Sequence, residues 1–497
     1  MNPGFILLLL ALMLSGASFI FYLKGGADAR MLKAARRTWH LAGAGMLAAM
    51  LLLLMFFLMH RFEYAYVYSY SARDLHPAYL VAALWAGQEG SFLLWAMLVS
   101  LFGAYVISKN ETDEHLIMPV LLAVQMALLV MLAVHSPFRY VWEDAASGIA
   151  AGTAPPDGMG LNALLQDPWM VVHPPALFVG YASAAVPFAY AIAALVQRDF
   201  TGWAERARGW VLFSAATLGI GIFLGGYWAY KVLGWGGYWG WDPVENSSLI
   251  PWLVILALLH GLIVQKRKGG LVRTNLALAL ASFVLVFYST FLTRSGVLSD
   301  FSVHSFGDLG LSRYLMFFLF FFAAGPLFLY AVRFRAIRGA PLSTDAFAWD
   351  TLLSFGVVTL VFYAAFVAIG TSMPLISALF SQKPFSVQQS FYMQISVPMG
   401  ILVLVFMGLA PLSMLPVRAH TRFLAAAGAA SIGPAFAFNF AFTVEPVPYI
   451  FTALALMCAI LAARDLATLS VRAILASRVA HLGGAVIVAG FIASSFH

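Results

Sequence analysis

Long apolar runs separated by short polar and charged stretches dominate the chain from end to end. A helix rises about 1.5 Å per residue and the hydrocarbon core of a bilayer is about 30 Å thick, so about 20 apolar residues make one crossing. Fourteen runs approach or reach that length, at about residues 4–23, 39–59, 91–108, 116–134, 175–196, 209–229, 248–265, 274–293, 313–332, 351–370, 393–414, 422–441, 446–463 and 479–496. The pattern predicts an all-α fold, a single polytopic transmembrane bundle of about 14 helices over residues 1–497, with every backbone polar group satisfied inside its own helix.

Composition agrees, since 62% of the 497 residues are hydrophobic and only 10% are charged, outside the range of a soluble domain. Lys and Arg collect in cytoplasmic loops and so set the orientation. With the N-terminus outside, the inner loops hold 21 of the 28 such residues and the outer loops hold seven. The same bias accounts for the net charge of +7 without nucleic acid as a partner. The first run carries its basic cluster (Lys24, Arg30, Lys33, Arg36, Arg37) after it and none before it, the reverse of a secretory signal, and reads as a retained helix. The one cysteine, Cys458, lies inside a predicted span, so any thiol chemistry comes from a partner. The longer non-spanning stretches, 60–90, 135–174, 230–247, 294–312 and 371–392, are all outside, which places function there.

One of those stretches is unusual. Residues 230–252 include WGGYWGWDPVENSSLIPW, with Trp235, Tyr238, Trp239, Trp241 and Trp252 spaced among Gly234, Gly236, Gly237 and Gly240. An interfacial aromatic belt explains Trp252. It explains the dense cluster less well, and aromatic faces between glycines suit a large flat ligand. Asp242, Pro243 and Glu245 also form a capping box that opens the next span, so helix capping competes with ligand contact for the two carboxylates.

A flat metal-bearing ligand needs axial ligands, and histidine is the usual one. Of the eleven histidines, His40, His115, His420 and His497 read as solvated or interfacial, and His60, His76 and His135 lie outside without an arguable partner. His260 and His481 stand within spans at similar depth from the inner face, either as unrelated interfacial residues or as a clamp on one iron. His173, in DPWMVVHPPALFVGY just before a span, and His304, in LTRSGVLSDFSVHSF just after one, share the face of the tryptophan loop and make a second candidate pair. Arg294, among the few outer cations, suits a ligand carboxylate or a lipid phosphate equally. Glu89 reads equally as a capping side chain or a polar group lining a cavity.

These segments, together with LWAGQEGSFLLW and the late helix beginning HLGG, resemble the CcmF family of cytochrome c maturation, whose tryptophan-rich loop is the WWD signature of haem-handling proteins. The resemblance covers most of the chain. It implies that His173 and His304 ligate haem on the outer face, that His260 and His481 ligate a permanent b-type haem in the membrane, and that Trp235, Trp239, Trp241 and Asp242 belong to the haem-receiving surface. It further implies a haem lyase subunit of the bacterial inner membrane with this loop on the periplasmic side. Its partners would be a haem chaperone, apocytochrome c and thiol-handling subunits, with quinol as a candidate electron source. A haem transporter is the alternative. A respiratory oxidoreductase fits less well, because no adjacent His-His pair and no helix with two histidines a few turns apart is present. The family usually continues past this last helix into an outer domain and a further span, whereas this chain ends at His497.

Overall fold

Each of the fourteen apolar runs coincides with a long helix. The computed structural model describes residues 2–496 apart from 27, 145, 146, 234–236, 303, 308, 413–416, 441, 442, 444 and 469–471. The helices are α1 (Pro3–Gly25), α2 (Ala29–Leu58), α3 (Ala65–Tyr70), α4 (Pro77–Ala86), α5 (Gln88–Ser108), α6 (Glu114–Val134), α7 (Pro168–Gln197), α8 (Gly202–Val232), α9 (Pro243–Lys268), α10 (Val272–Arg294), α11 (Ser312–Arg333), α12 (Trp349–Thr371), α13 (Met373–Ala378), α14 (Gln389–Leu412), α15 (Val417–Phe440), α16 (Pro446–Thr468) and α17 (Arg472–Phe496). Among the described residues 13 helices are long and apolar enough to cross a membrane, and no β-strand is present. The protein is an all-helical, multi-pass membrane protein.

The chain divides into two compact units, one of residues 1–234, 242–255 and 272–338, the other of residues 235–241, 256–271 and 339–497. In the first, α7 is central and packs on α4, α5, α6, α8, α10 and α11. A helix enclosed all round needs no polar face, and α7 has Tyr181 to Ala191 buried without a break. Its partner α8 approaches very closely. A Cβ on Gly180 would meet the Leu218 backbone at 2.8 Å, and one on Gly221 would meet the Leu177 backbone at 2.8 Å. Small residues let two helix backbones touch, which is how membrane helices associate without a hydrophobic driving force.

Asp167 caps α7, accepting from the Trp169 amide at 2.9 Å, and Pro168 occupies its first position. The helix therefore starts well before the apolar run and takes in His173, Pro174 and Pro175. His173 is thus a helical residue, not one preceding a span. At the opposite end of the same unit, Arg36 makes a two-point bond to Glu114, from Nε at 2.9 Å and Nη2 at 2.6 Å. Arg206 pairs with Asp113 at 2.9 Å. In the second unit α12, α14, α15, α16 and α17 pack as a smaller bundle, with Leu404, Cys458 and Ala485 buried together.

Candidate functional site

The first histidine pair is assembled by the first unit. His173 Nδ1 donates to the Gly221 carbonyl at 2.7 Å, across the tight α7–α8 crossing. The crossing also leaves the imidazole its space. A Cβ on Gly225 would lie 2.4 Å from His173 Cε1. Trp228, one turn further along α8, stacks nearly parallel to the His173 ring (6.5 Å between centres, 8°) and meets the His304 ring at 5.8 Å and 61°. Its own Nε1 donates to the Leu164 carbonyl at 3.2 Å. The buried Trp228 indole therefore neighbours both histidines of the pair.

His304 is held from the loop side. Its Nδ1 lies 3.2 Å from Asp242 Oδ1, and the Ser302 hydroxyl donates to that same oxygen at 2.7 Å while accepting from the His304 amide at 3.1 Å. Asp242 also caps α9, accepting from the Val244 amide at 2.8 Å, and its own amide donates to Glu245 Oε2 at 3.4 Å. Capping and site contact, which compete on sequence, are both met by one carboxylate. Burial opposes ionisation of Asp242. Contact with His304, the Ser302 hydroxyl and the Val244 amide outweighs it and holds the carboxyl below its ordinary range.

The second pair belongs to the second unit. The rings of His260 and His481 have centres 6.2 Å apart at a tilt of 44°. Metal–imidazole bonds run about 2 Å each, so one ion between two such rings sets their centres about 6 Å apart. His260 is eight residues from the end of α9 and His481 nine from the start of α17, or about 12 and 14 Å along each helix. His260 Nδ1 donates to the Leu256 carbonyl at 2.8 Å, and His481 Nδ1 lies 3.5 Å from the Ser477 hydroxyl. All four histidines thus turn Nδ1 toward an oxygen, the arrangement by which a second partner fixes ring orientation in metal sites.

Of the tryptophan loop, Trp235 lies outside the described residues. Trp239 and Trp241 meet edge to face at 6.3 Å, and Trp241 stacks flat on the buried Tyr392 (5.1 Å, 6°). Trp241 has a left-handed backbone, φ 55°, a conformation costly for an aromatic residue and concentrated at functional sites. A Cβ on Gly237 would find its nearest neighbour 4.0 Å away, so packing alone does not require glycine there. Trp252 is no belt residue: its Nε1 donates to the Ala215 carbonyl at 2.9 Å, tying α9 to α8.

The alternatives open at Glu89 and Arg294 are also narrowed. Glu89 Oε1 lies 2.9 Å from His135 Nδ1, joining the start of α5 to the end of α6, while Gly87 occupies the capping position. Arg294 is only 6% exposed, which removes it from lipid headgroups. Sequence reasoning missed Trp228, Tyr392 and the Glu89–His135 pair. A buried tryptophan one turn beyond Gly225 was a local signal for the first, and nothing local announced the others.

Residues 85–298 match the cytochrome C assembly protein family. Fold and match together define the class, a multi-pass membrane protein of cytochrome c assembly. Within that class the chain is similar to the CcmF proteins. It is 37% identical over 354 residues to the cytochrome c-type biogenesis protein CcmF of Pseudomonas fluorescens, covering 70% of this chain and 52% of the relative. It is 34% identical over 389 residues to that of Escherichia coli K12, covering 78% and 59%. A solved cytochrome c heme lyase CcmF superposes with a TM-score of 0.77 at 28% identity, covering 99% of this chain and 77% of that one. The chain spans about half to three-fifths of the length of these two sequence relatives.

Proposed function

We propose that the chain is the haem-presenting part of a cytochrome c haem lyase in a bacterial inner membrane, with the tryptophan loop on the periplasmic face. The observation that supports this best is the two histidine pairs, each ring turning Nδ1 to an oxygen. In this reading His173 and His304 hold the iron of incoming haem, the substrate. The loop that runs directly into Asp242, including Trp235, Trp239 and Trp241, covers a porphyrin face.

Thioether formation adds a cysteine S–H across a haem vinyl double bond, so sulfur and hydrogen both end on the porphyrin side chain and nothing leaves. The chain contributes position: it fixes the iron and the ring plane so that the vinyl edge meets a thiol delivered by apocytochrome c. A haem chaperone supplies the haem, and partner subunits keep the CxxCH thiols reduced. His260 and His481 hold an internal haem b, which supplies one-electron chemistry when bound, with quinol as the electron source in this reading.

The test is His173→Ala and His304→Ala, each assayed for cytochrome c maturation and for haem retained on purification. Maturation is expected to stop while the internal haem stays. Full maturation with loss of the internal haem would reverse the two assignments, and loss of all haem on washing the native protein would favour a transporter.

A further inference from the structure

Arg294 closes α10 beneath the segments that carry the first histidine pair. Its guanidinium lies over Phe92, Phe178 and Phe306 at 5.1, 5.5 and 5.3 Å. Phe178 is five residues after His173 on α7 and Phe306 two residues after His304, with the Phe306 amide donating to the Thr293 carbonyl at 3.0 Å. The cation therefore packs against both chain segments that carry the pair. The side chain is 6% exposed, and its Nη2 donates to Ser91 Oγ at 2.7 Å. Nε has no acceptor, and among the described residues no carboxylate stands within ion-pair distance.

A guanidinium carries five donors and a permanent charge. Buried without an anion it is costly, and three ring faces near the far end of the cation–π range return only part of what water gave. Gln88, one turn before Ser91, is 1% exposed and binds the Gly307 carbonyl through Nε2 at 2.9 Å, while its Oε1 has no partner. A buried donor without an acceptor and a buried acceptor without a donor thus border the same loop.

We propose that Arg294, steadied by Ser91, whose hydroxyl accepts from Nη2 and donates to the Gln88 carbonyl, forms an anion subsite that binds a carboxylate of the porphyrin substrate, an inference that rests on the outer haem site proposed above. The guanidinium takes the ionised carboxylate of one propionate, and Gln88 Oε1, which can only accept, takes the proton of the other propionate in its acid form. Such a subsite fixes the rotation of the ring about the axis between the two histidines. That rotation decides which edge carries the vinyl groups outward.

The test compares two probes that share iron, ring and vinyl groups, iron protoporphyrin IX and its dimethyl ester. Each is titrated into the purified full chain, with retained haem subtracted. The wild-type protein is expected to bind the diacid at least about tenfold more tightly, the scale of a hydrogen bond to a charged group. Arg294→Met should bind both probes as the wild type binds the ester, and Arg294→Lys should keep part of the preference. Equal wild-type affinity for the two probes overturns the subsite without any substitution. Equal weakening of both in Arg294→Met makes Arg294 a packing residue and overturns it as well. Binding that survives His173→Ala instead sinks the outer haem site on which the subsite rests.

Discussion

Replacing Gly225 with alanine places a methyl group where the His173 imidazole stands. The new Cβ would lie 2.4, 2.8 and 3.1 Å from Cε1, Nδ1 and Nε2. Non-bonded carbons settle at about 3.5 Å or more, so the ring must retreat by about 1.1 Å. Gly221 lies one turn earlier on the same helix, and the retreat stretches the 2.7 Å bond to its carbonyl toward about 3.8 Å, beyond hydrogen-bond range. The lost bond is worth about 0.5–1.5 kcal/mol, and 1.4 kcal/mol is a factor of about ten in affinity. A ligand displaced by about 1 Å can cost about a hundredfold in rate where reaction depends on position. Gly225→Ala is thus expected to weaken haem binding at the first pair about tenfold and to slow maturation more, with the internal haem unchanged. Gly209→Ala is the control, because a Cβ there meets nothing within 4 Å on the same helix. Absorbance titration of the purified variants measures the first effect. Equal haem affinity in Gly225→Ala and Gly209→Ala would refute the argument that glycine makes room for His173.

His260→Ala or His481→Ala should each abolish the haem retained on purification, since one of two rings 6.2 Å apart cannot complete an axial pair; an unchanged haem count and spectrum in both variants would count against the pairing. A cysteine at Ser147, in the stretch between α6 and α7, should react with a membrane-impermeant thiol reagent applied from the periplasm, and reaction only from the cytoplasm would invert the topology.

The long helices were legible because burial in lipid leaves a chain little choice of residue, and helix rise alone put His260 and His481, whose rings the fold sets 6.2 Å apart, at comparable positions. The capping box at Asp242 was equally local. What escaped was set by neighbours distant in the chain or by overrides of local preference. Pro174 and Pro175 read as a helix boundary, yet α7 begins earlier, because Asp167 and Pro168 provide a strong start and α4 and α5 flank the helix. Tyr392 is about 150 residues from the tryptophan it stacks on, and no short-range pattern encodes that meeting. Glu89 and His135 found one another only through the packing of α5 on α6.

The two histidines of the first pair have different mechanical supports. His173 projects from a strut, two helices locked backbone to backbone at Gly180 and Gly221. His304 sits on a stretch outside any helix, held through Ser302, Asp242 and the amide of Phe306. Such a grip has an anvil and a jaw. A flat plate can slide in edge-on only if one side yields, and segments held by a few hydrogen bonds open at lower free energy than packed helices. On the proposed haem-presenting reading, admission and release of the plate would fall to the jaw, while the anvil would keep its place from one cycle to the next.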